Sequence, residues 1–134
     1  MISLEQQVVS LKLAKRLKEL EVGVETLGQV AFWHWYYDDT HKKWEVGWYG
    51  SDDLIRSSKP TYAAFTVAEL GELLPDQVSS WRTGIKWICS HDELTVTGDA
   101  IPDQRADTEA DTRAKILIYL VENKIWTLDS LKEV

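Results

Sequence analysis

The segment from Tyr62 to Pro75, YAAFTVAELGELLP, constrains this chain more than any other, because nearly every position answers a requirement of a helix start. Thr66 stands as an N-cap acceptor, and Glu69, three residues on, can reach back to the cap backbone. Phe65 before the cap and Leu70 four residues past it are spaced for a hydrophobic staple. Pro75 restricts Leu74 and cannot continue the hydrogen-bond ladder, so a short helix is predicted to stop near Leu74. All of this is architectural: a helix is specified, and no substrate, metal or nucleotide is called for.

At 134 residues and 15.4 kDa the chain matches a single domain spanning 1–134. A domain of that size buries roughly two-thirds of the surface its unfolded chain exposes, so one core suffices without staples. The 44% hydrophobic and 28% charged content exclude a disordered, collagen-like or disulfide-scaffold class. The lone Cys89 sits in an alternating apolar run, reads as a small buried hydrophobe and points to a reducing cytoplasm. The N-terminus lacks a basic segment followed by an apolar core, and no apolar run approaches a membrane span, so neither a secretory signal nor a membrane partner is expected. A net charge of -7 repels phosphate backbones, which argues against generic nucleic-acid binding and is explained by solubility alone.

Ser3 to about Glu21 reads as one helix, with Ser3 and Gln6 at capping-box spacing. Val9, Leu13, Leu17 and Leu20 share a face, while Leu4, Val8 and Leu11 form a second strip. Such a helix is covered twice, by the rest of the domain or by a partner, and a homo-oligomer through it is one outcome.

Gln29–Tyr37 (QVAFWHWYY) has strand composition, Asp38-Asp39-Thr40 supplies a turn, and Lys43–Tyr49 forms a second strand in which Trp44, Val46 and Trp48 alternate with Lys43, Glu45 and Gly47. The first strand is apolar on both faces and is therefore expected to be the more central. Gly50 to Pro60 reads as a long exposed loop. Gly84–Ser90 and Glu93–Thr97 alternate as a second hairpin around His91-Asp92, and the polar stretch from Ala100 to Asp107 reads as loop. Thr108 and Asp111 then announce a long helix, about Glu109 to Lys124, with Ala110, Ala114, Leu117, Val121 and Ile125 along one stripe.

The expected architecture is α+β, in the order α-β-β-α-β-β-α: a four-stranded antiparallel sheet with two long helices packed on it and a short middle helix. The two halves share no residue pattern that would count as a repeat.

Three segments, VVSLKLAKRLKEL, YAAFTVAELGELLP and TEADTRAKILIYLVENK, together resemble a group of small uncharacterised proteins encoded by bacteriophages and prophages. The resemblance covers about half the chain and fades in the loops. It implies an origin in a mobile element and a life in the bacterial cytoplasm. Small acidic phage proteins often act as host-interaction or counter-defence factors, so it also favours binding to a host component, such as a host protein. No site residue is carried over from it.

His34, His41 and His91 form no zinc-type spacing with one another, with Cys89 or with a carboxylate, so no metal site or cofactor is expected. The pairs Asp38-Asp39 and Asp52-Asp53 lack a calcium-loop pattern and read as solvated turns. The cluster His91-Asp92-Glu93 would need partners from elsewhere to act as acid and base. No glycine-rich phosphate loop, nucleophile elbow or redox cysteine pair is present, so no catalytic residue is assigned.

The aromatic hairpin is the feature most open to function. Phe32 and Tyr36 project opposite to Trp33, Trp35 and Tyr37, so one set can face the helices and the other a groove or partner. In one reading both sets are core and rim packing. In the other, Trp33, Trp35, Tyr37, Trp44 and Trp48 form a face that anchors a protein or stacks on a nucleobase. A nucleotide-sequestering module would need donors near the rings, for which Lys42, Lys43, Arg56 and Lys59 are nearest. A small enzyme centred on the His91 turn is the third alternative.

Overall fold

The computed structural model describes residues 4–22, 31–50, 59–75, 78–91 and 101–125. They form helices α1 (Leu4–Gln7), α2 (Leu11–Glu19), α3 (Val67–Leu73) and α4 (Glu109–Glu122), with strands β1 (Ala31–Asp38), β2 (Lys43–Gly50), β3 (Tyr62–Ala63), β4 (Val78–Thr83), β5 (Lys86–His91) and β6 (Gln104–Ala106). The class is α+β, as expected. The sheet arrangement is not: in place of one four-stranded sheet there are two three-stranded antiparallel sheets, ordered β2-β1-β3 and β4-β5-β6.

The difference has a local cause in each sheet. β3 is two residues just upstream of the Thr66 cap, where Tyr62 and Ala63 pair with Trp35 and His34. β6 lies inside the polar stretch read as loop, and Gln104 to Ala106 pair with Cys89 to Trp87. Such short strands carry no periodicity of their own; a neighbour with free backbone groups creates them. A hairpin that was not expected turns at Gly84-Ile85, with Thr83 paired to Lys86. Gly84 has φ 61 while Ile85 stays at negative φ, the pattern of a two-residue turn with glycine first. The strand expected at Glu93–Thr97 and the loop core at 51–58 lie outside the described residues.

The N-terminal helix is broken in two. At Val8–Ser10 the backbone finds tertiary partners instead of helical ones: Val8 bridges Thr66, Val9 N–H donates to the Phe65 carbonyl at 2.8 Å, and Ser10 N–H donates to Asp111 Oδ1 at 2.6 Å. Val8 and Val9 are both fully buried, so the β-branched pair gains more from packing in extended form than from a helix it suits poorly. Val8 thus belongs to the chain's own core, and of the second apolar strip Leu11 stays half-buried.

α3 carries the full capping box. Thr66 Oγ1 accepts from Glu69 N–H at 3.2 Å, Glu69 Oε1 accepts from Thr66 N–H at 3.0 Å, and the staple residues Phe65 and Leu70 are both buried. α4 starts on Thr108, whose hydroxyl accepts from Asp111 N–H at 3.2 Å. It packs against α2, α3 and all three strands of the second sheet. Ala110, Ala114, Ile116, Leu117 and Leu120 are fully buried. The two sheets and the helices share one continuous apolar cluster that runs from Trp35 through Phe65 and Leu117 to Cys89. No helix among the described residues is long and apolar enough to cross a membrane.

Candidate binding site

β1 is the central strand of its sheet, and the β1–β2 register places Trp33 opposite Trp48, Trp35 opposite Val46 and Tyr37 opposite Trp44 on one face. Trp33 and Trp48 meet edge-to-face at 5.3 Å and 74°, Tyr37 and Trp44 at 5.7 Å and 68°. This is the face that packs on the helices, and burial varies along it. Trp35 is 9% exposed, with its indole N–H donating to the Val9 carbonyl at 2.8 Å. Nearer the turn, Lys59 Nζ stands 4.1 Å over the Tyr37 ring, and Lys15 lies 5.2 Å from Trp44 and 5.7 Å from Tyr62. The chain's own lysines therefore cover the rings an incoming base would stack on. At the far end Trp48 is 56% exposed. On the opposite face His34 is buried, and Tyr36 donates to Glu45 Oε2 at 3.0 Å.

Trp33 also lines a cleft of about 570 Å³ between the two sheets. Its other walls are Gln6 and Gln7 of α1, the first turns of α3 and α4, and Arg82, Ile85 and Trp87 from the β4–β5 hairpin. Arg82 and Trp87 are cross-strand partners, and Ile85 at the turn is 79% exposed. A cleft of this size with aromatic and aliphatic walls and a few amide and guanidinium donors has the general make-up of a ligand site. Its polar groups are already engaged. Thr66 and Thr108 cap their helices, Asp107 pairs with Lys86, and Glu109 Oε2 accepts from Ser80 Oγ at 2.6 Å. The Lys86 ammonium holds the Asp107 carboxyl below its usual range. Cys89 is fully buried away from the cleft, and burial pushes its thiol up to about 11, which removes it as a nucleophile. The arrangement favours holding an apolar group over performing chemistry on one.

Of the five rings singled out in the sequence, Trp33 reaches the cleft, Trp48 reaches solvent beside it, Trp35 is enclosed, and Tyr37 and Trp44 lie half-buried under lysines. Sequence reasoning places Ile85 and Trp87 in the alternating run Gly84–Ser90 without assigning them to a site, and leaves Arg82 outside any strand. The signal was present in the glycine-centred two-residue turn between apolar-polar alternations. Lys42 and Lys43 are exposed near the first turn, while Arg56 and the Asp52-Asp53 pair lie outside the described residues, as do Asp92 and Glu93.

The first hairpin also gathers groups that spacing did not join. Asp38, His41 and Glu45 each offer a ligand atom within 4.8 Å of the others. Asp38 Oδ2 meets His41 Nδ1 at 2.6 Å, and Asp38 Oδ1 accepts from the N–H groups of Thr40 and His41.

No protein-family model, curated protein sequence or solved structure matches this chain.

Proposed function

We propose that this chain is a non-enzymatic binding protein of a bacteriophage or prophage, and that it docks onto a host protein through Trp48, Trp33 and the cleft beside them. The observation that carries the reading is the uneven covering of the apolar surface. Lysines cover Tyr37 and Trp44 and Trp35 is enclosed, whereas Trp48 and Ile85 stay more than half exposed, one against Trp33 and one on the cleft wall. Exposed aromatic and aliphatic groups beside a concave site are the usual anchors of a protein interface, and Trp is enriched among interface hot spots. The resemblance to phage and prophage proteins supplies the host as the partner's source, the bacterial cytoplasm as the setting and counter-defence as the role such binding serves. The net charge of -7 steers the chain toward basic surfaces and away from nucleic acid.

The test uses the purified chain as bait in bacterial lysate, followed by binding measurements between the chain and each purified hit. A partner held by the wild type and lost at least about tenfold in Trp48→Ala and in Ile85→Asp supports the reading. Both substitutions fall on exposed positions and leave the fold intact. Equal binding by all three chains, or no partner for any, overturns it.

Nucleotide capture in the same cleft is the second reading, favoured by Trp33, Trp87 and the Arg82 guanidinium. The carboxylates of Asp107 and Glu109 at the same wall oppose a phosphorylated ligand. A melting temperature unmoved by saturating nucleotides removes this alternative, since a ligand of the folded state must raise it.

A further inference from the structure

We propose that the turn of the first hairpin carries a site for a divalent transition-metal ion, formed by Asp38, His41 and Glu45. The inference is independent of the docking reading, since these groups lie at the β1–β2 turn and none lines the cleft.

The hairpin register builds the site. Asp38 ends β1 opposite Lys43, and Glu45 lies two residues further along β2 opposite Tyr36, so the two carboxylates are diagonal neighbours on one face of the sheet. His41 in the connecting turn folds its ring back toward Asp38, with Nδ1 2.6 Å from Oδ2. The result is one imidazole nitrogen and two carboxylate oxygens, all within 4.8 Å of one another. Bonds of about 2.0–2.2 Å to a common ion would separate such ligand atoms by roughly 3 Å, within reach of small side-chain rotations.

The supports around the ligands also suit an ion. Asp38 Oδ1 is held by two backbone N–H groups, leaving Oδ2 to face the imidazole. Tyr36 donates its hydroxyl to Glu45 Oε2, an outer contact of the kind that orients a ligating carboxylate. Lys43 Nζ lies 3.3 Å from Glu45 Oε1 on a side chain that is 63% exposed. Its ammonium is the resident counter-charge that a metal ion displaces.

The donor set selects the ion. Magnesium and calcium take oxygen ligands, whereas an imidazole joined to two carboxylates suits zinc, cobalt, nickel or manganese. His41 is largely exposed, so water completes the coordination sphere.

Calorimetric titration of the full chain with zinc chloride, repeated with cobalt(II) followed by visible absorption, tests the proposal. Saturable binding of one ion per chain is expected, unaffected by excess magnesium. His41→Ala and Glu45→Gln weaken it by about tenfold or more. Lys43→Ala keeps all three ligands and tightens binding by about two- to fivefold, because the competing ammonium is gone. Circular dichroism verifies that each variant is folded. Absence of saturable binding by the wild type, or wild-type affinity in His41→Ala, overturns the site. Unchanged affinity in Lys43→Ala overturns the exchange of lysine for metal.

Discussion

The indole of Trp35 donates its N–H to the backbone carbonyl of Val9 at 2.8 Å, tying the central strand of the first sheet to the break between α1 and α2. That one bond links two departures from simple periodicity: a tryptophan on the aromatic face that is enclosed, and an N-terminal helix that breaks after the four residues of α1.

Replacing Trp35 separates core from surface. Trp35→Phe keeps most of the ring but leaves the Val9 carbonyl without its partner, at a cost of about 1–3 kcal/mol. Trp35→Ala adds a cavity and costs about 3–5 kcal/mol. Trp48→Ala, at an exposed site with an edge-to-face contact to Trp33, costs about 1 kcal/mol or less. Urea denaturation of the three variants checks the order.

Thr66→Ala removes the hydroxyl that accepts from Glu69 N–H and half of the reciprocal capping box. The expected loss is about 1 kcal/mol, within a range of roughly 0.5–2. Thr66→Ser retains the acceptor and stays close to wild type in the same denaturation experiment.

Asp38 sets an acid dependence. The His41 side chain, then the backbone N–H groups of His41 and Thr40, lower its carboxyl pKa to about 2. Because the folded value lies below the unfolded one, the stabilisation is complete above the unfolded pKa and is lost as pH falls through about 2. Urea midpoints of the wild type and Asp38→Asn therefore differ near neutrality and converge between about pH 4 and 2. A constant gap across that window contradicts the prediction.

Cys89 is protected by the fold. With the thiol buried and its pKa raised to about 11, first by burial, little thiolate exists near pH 8. A thiol reagent added to the native chain is expected to react slowly, and to label one site rapidly once denaturant unfolds it. Fast labelling of the native protein contradicts this placement.

Two helix ends store removable strain. Glu21 (φ 66) follows α2 and Lys124 (φ 57) follows α4, each in the left-handed conformation usually given to glycine. Around them Val22 N–H donates to Leu17 O and Ile125 N–H to Leu120 O, the long bond of a Schellman end. Glu21→Gly and Lys124→Gly should each raise stability by up to about 1 kcal/mol, read from melting and urea midpoints.

Where no proline follows, as after α2 and α4, a helix stop carries less local signal than a side-chain-capped start. Thr66 and Thr108 announce their helices because a cap acts through its own side chain within three residues. Glu21 and Lys124 give no such sign; at Glu21 the burial of Val22 helps offset the cost of a charged residue at positive φ.

The same division holds for the sites. Trp33 and Trp48 were legible as functional candidates from the ring-rich alternation alone, but which rings of that face are covered depended on α2 placing Lys15 over Trp44 and on the Trp35 indole reaching Val9. Arg82 and Trp87 joined the cleft only through a cross-strand pairing that no local pattern makes explicit. Asp38, His41 and Glu45 sit at unremarkable intervals until the turn folds an imidazole back over the strand end.

The amino-acid order by itself determined the α+β class, the capped starts of α3 and α4, the first hairpin and its central strand. These depend on side chains acting on backbone a few residues away, or on a period of two or 3.6 that the chain repeats for itself. Tertiary structure alone decided the split into two sheets, the extension of Val8 and Val9, and the strands at Tyr62–Ala63 and Gln104–Ala106. In each case a buried backbone group had to find a hydrogen-bond partner far away in the chain, and unpaired burial costs more than any local preference at those residues.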